Sequence, residues 1–79
     1  MIDVLFFGPV AERMGTSRLQ VAHRPGLSLA ALRDELRAAH PEAFAIVSLA
    51  AVDGEHMRDD ARLLDDRSEV VFMSRFSGG

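Results

Sequence analysis

Ile2-Asp3-Val4-Leu5-Phe6-Phe7 opens the chain with strand-forming residues on both sides of a period-two pattern. Ile2, Val4 and Phe6 share one face, and Asp3, Leu5 and Phe7 share the other. The first face is core. The second carries two large apolar side chains beside one acid, which does not suit a face turned to water. A matching stretch lies at the far end. Ser68 to Phe76 reads as the last strand, with Val70 and Phe72 on one side and Val71 and Met73 on the other. Strands apolar on both faces belong in the middle of a sheet.

The segments between them set how those two strands meet. Gly8-Pro9 breaks the first strand, and residues 9–15 form a connection with room for a helical turn, ended by Gly15. Thr16 to Ala22 reads as a second strand, with Leu19 and Val21 pointing one way and Arg18 and Gln20 the other. It pairs with the first as a hairpin by default. Arg24-Pro25-Gly26 is a turn. Ser28 then stands as the N-cap of a helix, and Leu27 and Leu32 have the spacing of a hydrophobic staple. Leu29, Leu32, Leu36 and Ala39 follow the helical period up to His40-Pro41, where proline disfavours further helix. Residues 41–47 read as a short irregular or helical piece. Ser48 to Val52 reads as a third strand, Asp53-Gly54 as a tight hairpin turn, and Glu55 to Arg58 as a short return strand. Residues 59–67 form an acidic loop anchored by Leu63 and Leu64.

The order is therefore strand, strand, helix, strand, short strand, strand. A sheet of four to five strands covered on one side by one main helix buries these stripes most simply. The helix separates the first hairpin from the later strands, so the first and last strands can lie side by side, parallel and central. That is an α+β, β-grasp arrangement, with residues 1–76 as the domain and 77–79 as a Ser-Gly-Gly tail.

Bulk properties remove several function classes. With 79 residues the chain holds one domain, and a domain of this size has little room for both a core and an internal active site. The absence of cysteine removes a disulfide framework, a thiolate metal site and a cysteine nucleophile. A net charge of −3 with no basic patch argues against nucleic acid as a partner. The start of the chain has no basic region or cleavage site, and no apolar run approaches the roughly 18 residues of a membrane span. The expected place is the cytoplasm, away from membranes. All nine basic residues are arginine, so no lysine side chain could accept an isopeptide bond.

Conventional active sites find little support. His23, His40 and His56 lie in different elements without metal-ligand spacing, and they read as structural or solvent-facing; no metal site is expected. The pairs Asp59-Asp60 and Asp65-Asp66 read as solvated loop acids. No P-loop, dinucleotide-binding glycine pattern or nucleophile elbow is present.

The remaining chemistry is at the end. A terminal Gly78-Gly79 arises by chance in about one sequence in 200, so alone it carries modest weight. Two residues without Cβ atoms after a small Ser77 can thread a narrow channel and take backbone angles closed to others. A carboxyl group on such an arm could be activated as an acyl-adenylate and exchanged for a thioacid. Beside it, Leu5, Phe7, Val71 and Met73 lie on the strand faces turned away from the helix. Either they form one exposed apolar patch, the usual mark of a partner site, or residues 41–64 cover them.

Taken together, these features resemble the small, sulfur-carrying subunit of molybdopterin synthase, in the wider ubiquitin-like family that includes the thiamine sulfur carrier. The resemblance rests on Val4-Leu5-Phe6-Phe7-Gly8, on Ala11-Glu12 and Gly15, and on Ala51-Val52-Asp53-Gly54-Glu55. It extends through Leu64-Asp65-Asp66-Arg67-Ser68-Glu69-Val70 to Ser77-Gly78-Gly79. It implies that a carrier-activating adenylyltransferase uses ATP on Gly79 and that a sulfur donor protein converts the adenylate to a thiocarboxylate. It also implies insertion of the tail into a large subunit, in a heterotetramer of two carriers and two large subunits, with sulfur passing to cyclic pyranopterin monophosphate. This chain would bind no cofactor and supply no catalytic side chain. By the same resemblance Phe7, His56 and Met73 face the partner, and Arg75, Phe76, Ser77 and Gly78 guide the tail. The chain departs from the family at three places. Ser74-Arg75-Phe76 stands where Pro-Pro-Val is common, His56 where an apolar residue is usual, and Arg67-Ser68 in place of a Gly-Asp turn. Carriers for thiamine or cysteine synthesis, a ubiquitin-like modifier joined to target lysines through Gly79, and a plain interaction module are the alternatives.

Overall fold

A computed structural model describes residues 1–75. Five strands make one mixed sheet in the order β2-β1-β5-β3-β4. They are β1 (Ile2–Phe6), β2 (Arg18–Val21), β3 (Leu49–Val52), β4 (Glu55–His56) and β5 (Glu69–Met73). β1 and β5 are parallel neighbours in the centre, with Val4 beside Val70 and Phe6 beside Phe72. β2 runs antiparallel to β1, and β3 antiparallel to β5. The sheet is the ubiquitin-like β-grasp expected from the order of elements, with the first and last strands central.

Three helices lie in the connections: α1 (Gly8–Met14), α2 (Leu29–Ala39) and α3 (Pro41–Phe44). α2 forms where its caps place it. The Ser28 hydroxyl accepts from the Ala31 amide at 3.1 Å, and Leu27 and Leu32 are both buried as a staple requires. The His40 amide closes the last turn onto the Leu36 carbonyl. Pro41 then starts α3, whose Ala43 and Phe44 enter the core. α1 is a full helix rather than a single turn. Pro9 stands in its first turn, Gly15 closes it at φ 75° with its amide on the Ala11 carbonyl, and Val10 is its buried anchor.

The core lies between the sheet and the helices. Ile2, Val4, Phe6, Val70 and Phe72 meet Leu29, Leu32, Leu36 and Phe44 there. Phe44 packs edge-on to both Phe6 and Phe72, at ring centroid distances of 6.2 and 5.1 Å.

Several details differ from the sequence reading: β2 is Arg18–Val21 rather than Thr16 to Ala22, β3 starts at Leu49 rather than Ser48, and β4 ends at His56 rather than Arg58. The last strand stops at Met73, because the Ser48 amide makes the final bond to the Met73 carbonyl and β3 extends no further; Phe76 lies outside the described residues. Only one of the two loop leucines is an anchor. The Leu64 amide bonds to the Leu27 carbonyl and its side chain is buried, whereas Leu63, bridged to Ser28, points out and is 60% exposed.

The turn before β5 holds a strained residue. The Ser68 amide bonds back to the Asp65 carbonyl at 3.1 Å, and Arg67, third in that turn, has φ 70°. Glycine is the usual residue at such a position. Arg67→Gly is expected to raise unfolding free energy by about 0.5 kcal/mol. Relief of roughly 1–2 kcal/mol of left-handed strain is partly offset by roughly 0.4–1 kcal/mol of added chain entropy. A urea unfolding midpoint checks this, and a fall would show that the Arg67 side chain contributes more than its backbone costs.

Candidate functional site

The sheet face turned away from the helices is built in rows by strand register. Across all five strands one row reads Arg18, Leu5, Val71, Ala51 and His56. Towards the start of β1 the next row is Gln20, Asp3 and Glu69. Towards the end of β5 the next is Met73 and Leu49. Phe7 follows β1 in extended conformation and is 50% exposed.

Polarity therefore changes along the strands. At one end Asp3 accepts from Gln20 Nε2 at 3.0 Å and from an Arg18 guanidinium nitrogen at 3.2 Å. These two bonds, Gln20 first, hold its carboxyl below the usual aspartate range. This satisfies the single acid that interrupted the apolar pattern of β1. At the other end stand Leu5, Phe7, Val71, Met73 and Leu49, the residues nearest to where the chain leaves the sheet for 76–79.

Of the expected partner residues, Leu5, Val71 and His56 are brought into one row, and Met73 flanks it. Residues 41–64 do not cover the face as a separate layer. Ala43, Phe44 and Leu64 belong to the core on the helix side, with Ile46, Val47 and Met57 packed against it, while β3 and β4 extend the sheet itself. Ala51 is buried yet belongs to no core cluster, because its neighbours Val71 and His56 shield it on the outer face. Leu49, 42% exposed, was missed. Alternation within the third strand already separates Leu49 and Ala51 from Ala50 and Val52; the pairing of β3 with β5 was needed to join them to the patch.

Of the expected tail residues, Arg75 is an exposed turn residue two positions after the end of β5. Phe76, Ser77, Gly78 and Gly79 lie outside the described residues. Ser74 turns the opposite way from Met73 and is 4% exposed, and its hydroxyl has no partner among the described residues.

The remaining candidates are engaged elsewhere. His23 Nε2 lies 3.0 Å from the Leu64 carbonyl and donates to it in the matching tautomer. Asp60 pairs with Arg33 at 2.8 Å, and that bond holds its carboxyl low. Asp59 caps the Ala61 amide, and Asp66 accepts from the Met1 amino group. Among the described residues no group of three or more histidines and acids could hold a metal. Nor is any described helix long and apolar enough to cross a membrane.

Solved structures share this architecture. SAMP1 from Haloferax volcanii is similar at 19% identity, with 99% of this chain and 98% of that one covered and a TM-score of 0.81. A Pyrococcus furiosus structure, provisionally assigned as molybdopterin converting factor subunit 1, is similar at 17% identity, 92% and 94% coverage and a TM-score of 0.82. The solution structure of Haloferax volcanii HVO 2177 is similar at 17% identity, 99% and 85% coverage and a TM-score of 0.80. At these identities the likeness is one of fold. No curated protein matches the sequence. The ThiS family model matches residues 4–79, through both tail glycines, and the chain belongs to the ThiS family.

Proposed function

We infer that the chain is the sulfur-carrier subunit of a molybdopterin synthase. The observation that carries this reading is the apolar end of the outer sheet face, which adjoins the point where the Gly78-Gly79 tail departs. A partner seated there receives the tail at a fixed angle. In this reading the Gly79 carboxylate attacks the α-phosphorus of ATP on a carrier-activating adenylyltransferase, releasing pyrophosphate. Sulfide-level sulfur released by a donor protein attacks the acyl-adenylate carbonyl, displaces AMP and leaves a thiocarboxylate. The large subunit accepts the tail, the thiocarboxylate sulfur bonds to cyclic pyranopterin monophosphate, and water cleaves the resulting thioester, leaving sulfur on the pterin and a carboxylate on Gly79. The carrier's residues contribute docking and delivery. Leu5, Phe7, Val71, Met73 and Leu49 exclude water at the joint, His56 gives its edge a polar group, and Arg75 to Gly78 lead the carboxyl group in.

The likeness to an archaeal protein named as a small modifier favours a second reading, in which Gly79 is joined to target amines. The two share activation and differ in the acceptor. Intact mass after incubation with ATP, a carrier-activating enzyme and a sulfur donor tests the first. One sulfur-for-oxygen exchange mapped to Gly79 supports it. An unchanged mass, with a control carrier converted in the same tube, sinks it.

A further inference from the structure

A second surface feature lies on the other side of β5 from the apolar face. Pro9 and Arg13 of α1, Ile46 and Ser48 before β3, and Ser74 and Arg75 after β5 enclose an open cleft of about 400 Å³. Its floor is apolar. Arg13 and Arg75 stand on its rim, both exposed. One Arg13 guanidinium nitrogen donates to the Glu42 carbonyl at 3.0 Å, which fixes its position and leaves further N–H groups free. Arg18, Arg24, Arg33 and Arg37 pair with carboxylates, whereas Arg13, Arg58, Arg62, Arg67 and Arg75 make no ion pair within the described residues; of these only Arg13 and Arg75 line this cleft. Two guanidinium groups with no ion pair among the described residues, beside an apolar floor on a chain of net charge −3, form a local site for an acid.

The reach of the tail says what comes to this site. Four residues follow Arg75 and span at most about 14 Å. An enzyme holding Gly79 in its reaction centre must bring its body up to the cleft rim.

Building on the carrier reading, we propose that the Arg13–Arg75 cleft is a second docking point for the tail-activating enzyme. It receives an apolar side chain with an adjacent carboxylate from that enzyme. The apolar side chain covers Pro9 and Ile46, and the carboxylate meets the two guanidinium groups. Docking then clamps β5 from both sides, with the outer face as the first contact and this cleft as the second.

The test is the rate of ATP–pyrophosphate exchange by the carrier-activating enzyme as the concentration of full-length carrier is varied. Arg13→Glu is expected to raise KM for the carrier roughly tenfold with kcat unchanged, and to remove much of the salt dependence of KM. Arg13→Gln should have a smaller effect. Arg24→Glu, which makes the same charge change at a site paired with Glu35, serves as the control. An active wild-type carrier whose KM is the same in Arg13→Glu and Arg24→Glu overturns the proposal and leaves the carrier reading standing. A wild-type carrier that supports no exchange overturns both. Changes in the Ile46 amide signal of the free protein on dilution, or on Phe76→Ala, also overturn it. They would show the cleft to be filled by a second copy or by the chain's own end.

Discussion

Phe72→Ala is expected to lower the melting temperature by about 15–30 °C and to leave a large unfolded fraction at 37 °C. Phe72 is 0% exposed. It sits on a central strand, and its ring lies 5.1 Å from Phe44 and 6.4 Å from Phe6. Truncating a buried phenylalanine costs about 3–5 kcal/mol through lost transfer energy and the cavity left behind. A chain of this length has about 4–12 kcal/mol in all, and each kcal/mol shifts the midpoint by about 4–8 °C. No neighbour can collapse into the gap cheaply, because Phe6 is fixed in β1 and Phe44 in α3 between two packed helices. A melt followed by circular dichroism measures this. A loss of only a few degrees would show that the three rings do not form the keystone of the core.

Adding one alanine after Gly79 is expected to reduce thiocarboxylate formation at least about 100-fold while leaving the melting temperature unchanged. The Gly79 carboxyl becomes an amide. The new carboxyl group stands about 3.5 Å further out and on a residue with a Cβ. Misplacing a reacting group by about 1 Å is enough to cost about 100-fold. The fold has no stake in the change, since every core residue among those described lies between Ile2 and Phe72. The intact-mass experiment reads the outcome. Unimpaired conversion of the extended chain would move the chemistry away from Gly79.

How much of this could be read beforehand depended on whether the signal was local. α2 was legible because a hydroxyl cap, a staple, a three-leucine stripe and a proline stop all agree. The Asp53-Gly54 turn was legible for a similar reason: both residues take positive φ, 50° and 86°, as a two-residue hairpin loop demands. The central pairing of β1 and β5 followed from apolar residues on both faces. α1 was less legible. Its seven residues bury a single valine, and it owes its existence to contact with α3 and the sheet rather than to a stripe of its own. Leu63 and Leu64 are adjacent and chemically alike, and only the bridge to Ser28 determines which one turns inward. Leu49 joins the outer patch through the register of β3 on β5, which no single segment encodes. The Arg13 cleft draws on three segments far apart in sequence and was invisible for the same reason.

The parallel contact of β1 with β5 has a mechanical side. The chain leaves β5 at the end next to the end of β1, while the start of β1 lies at the opposite end of the strands. A partner that grips the tail and pulls along the strand axis loads the backbone bonds of β5 to both β1 and β3 together, in shear. None can open ahead of the others, as they would if the strand were peeled from an edge. The domain can be drawn against an enzyme by its last residues, and released, without unravelling from the end that is held.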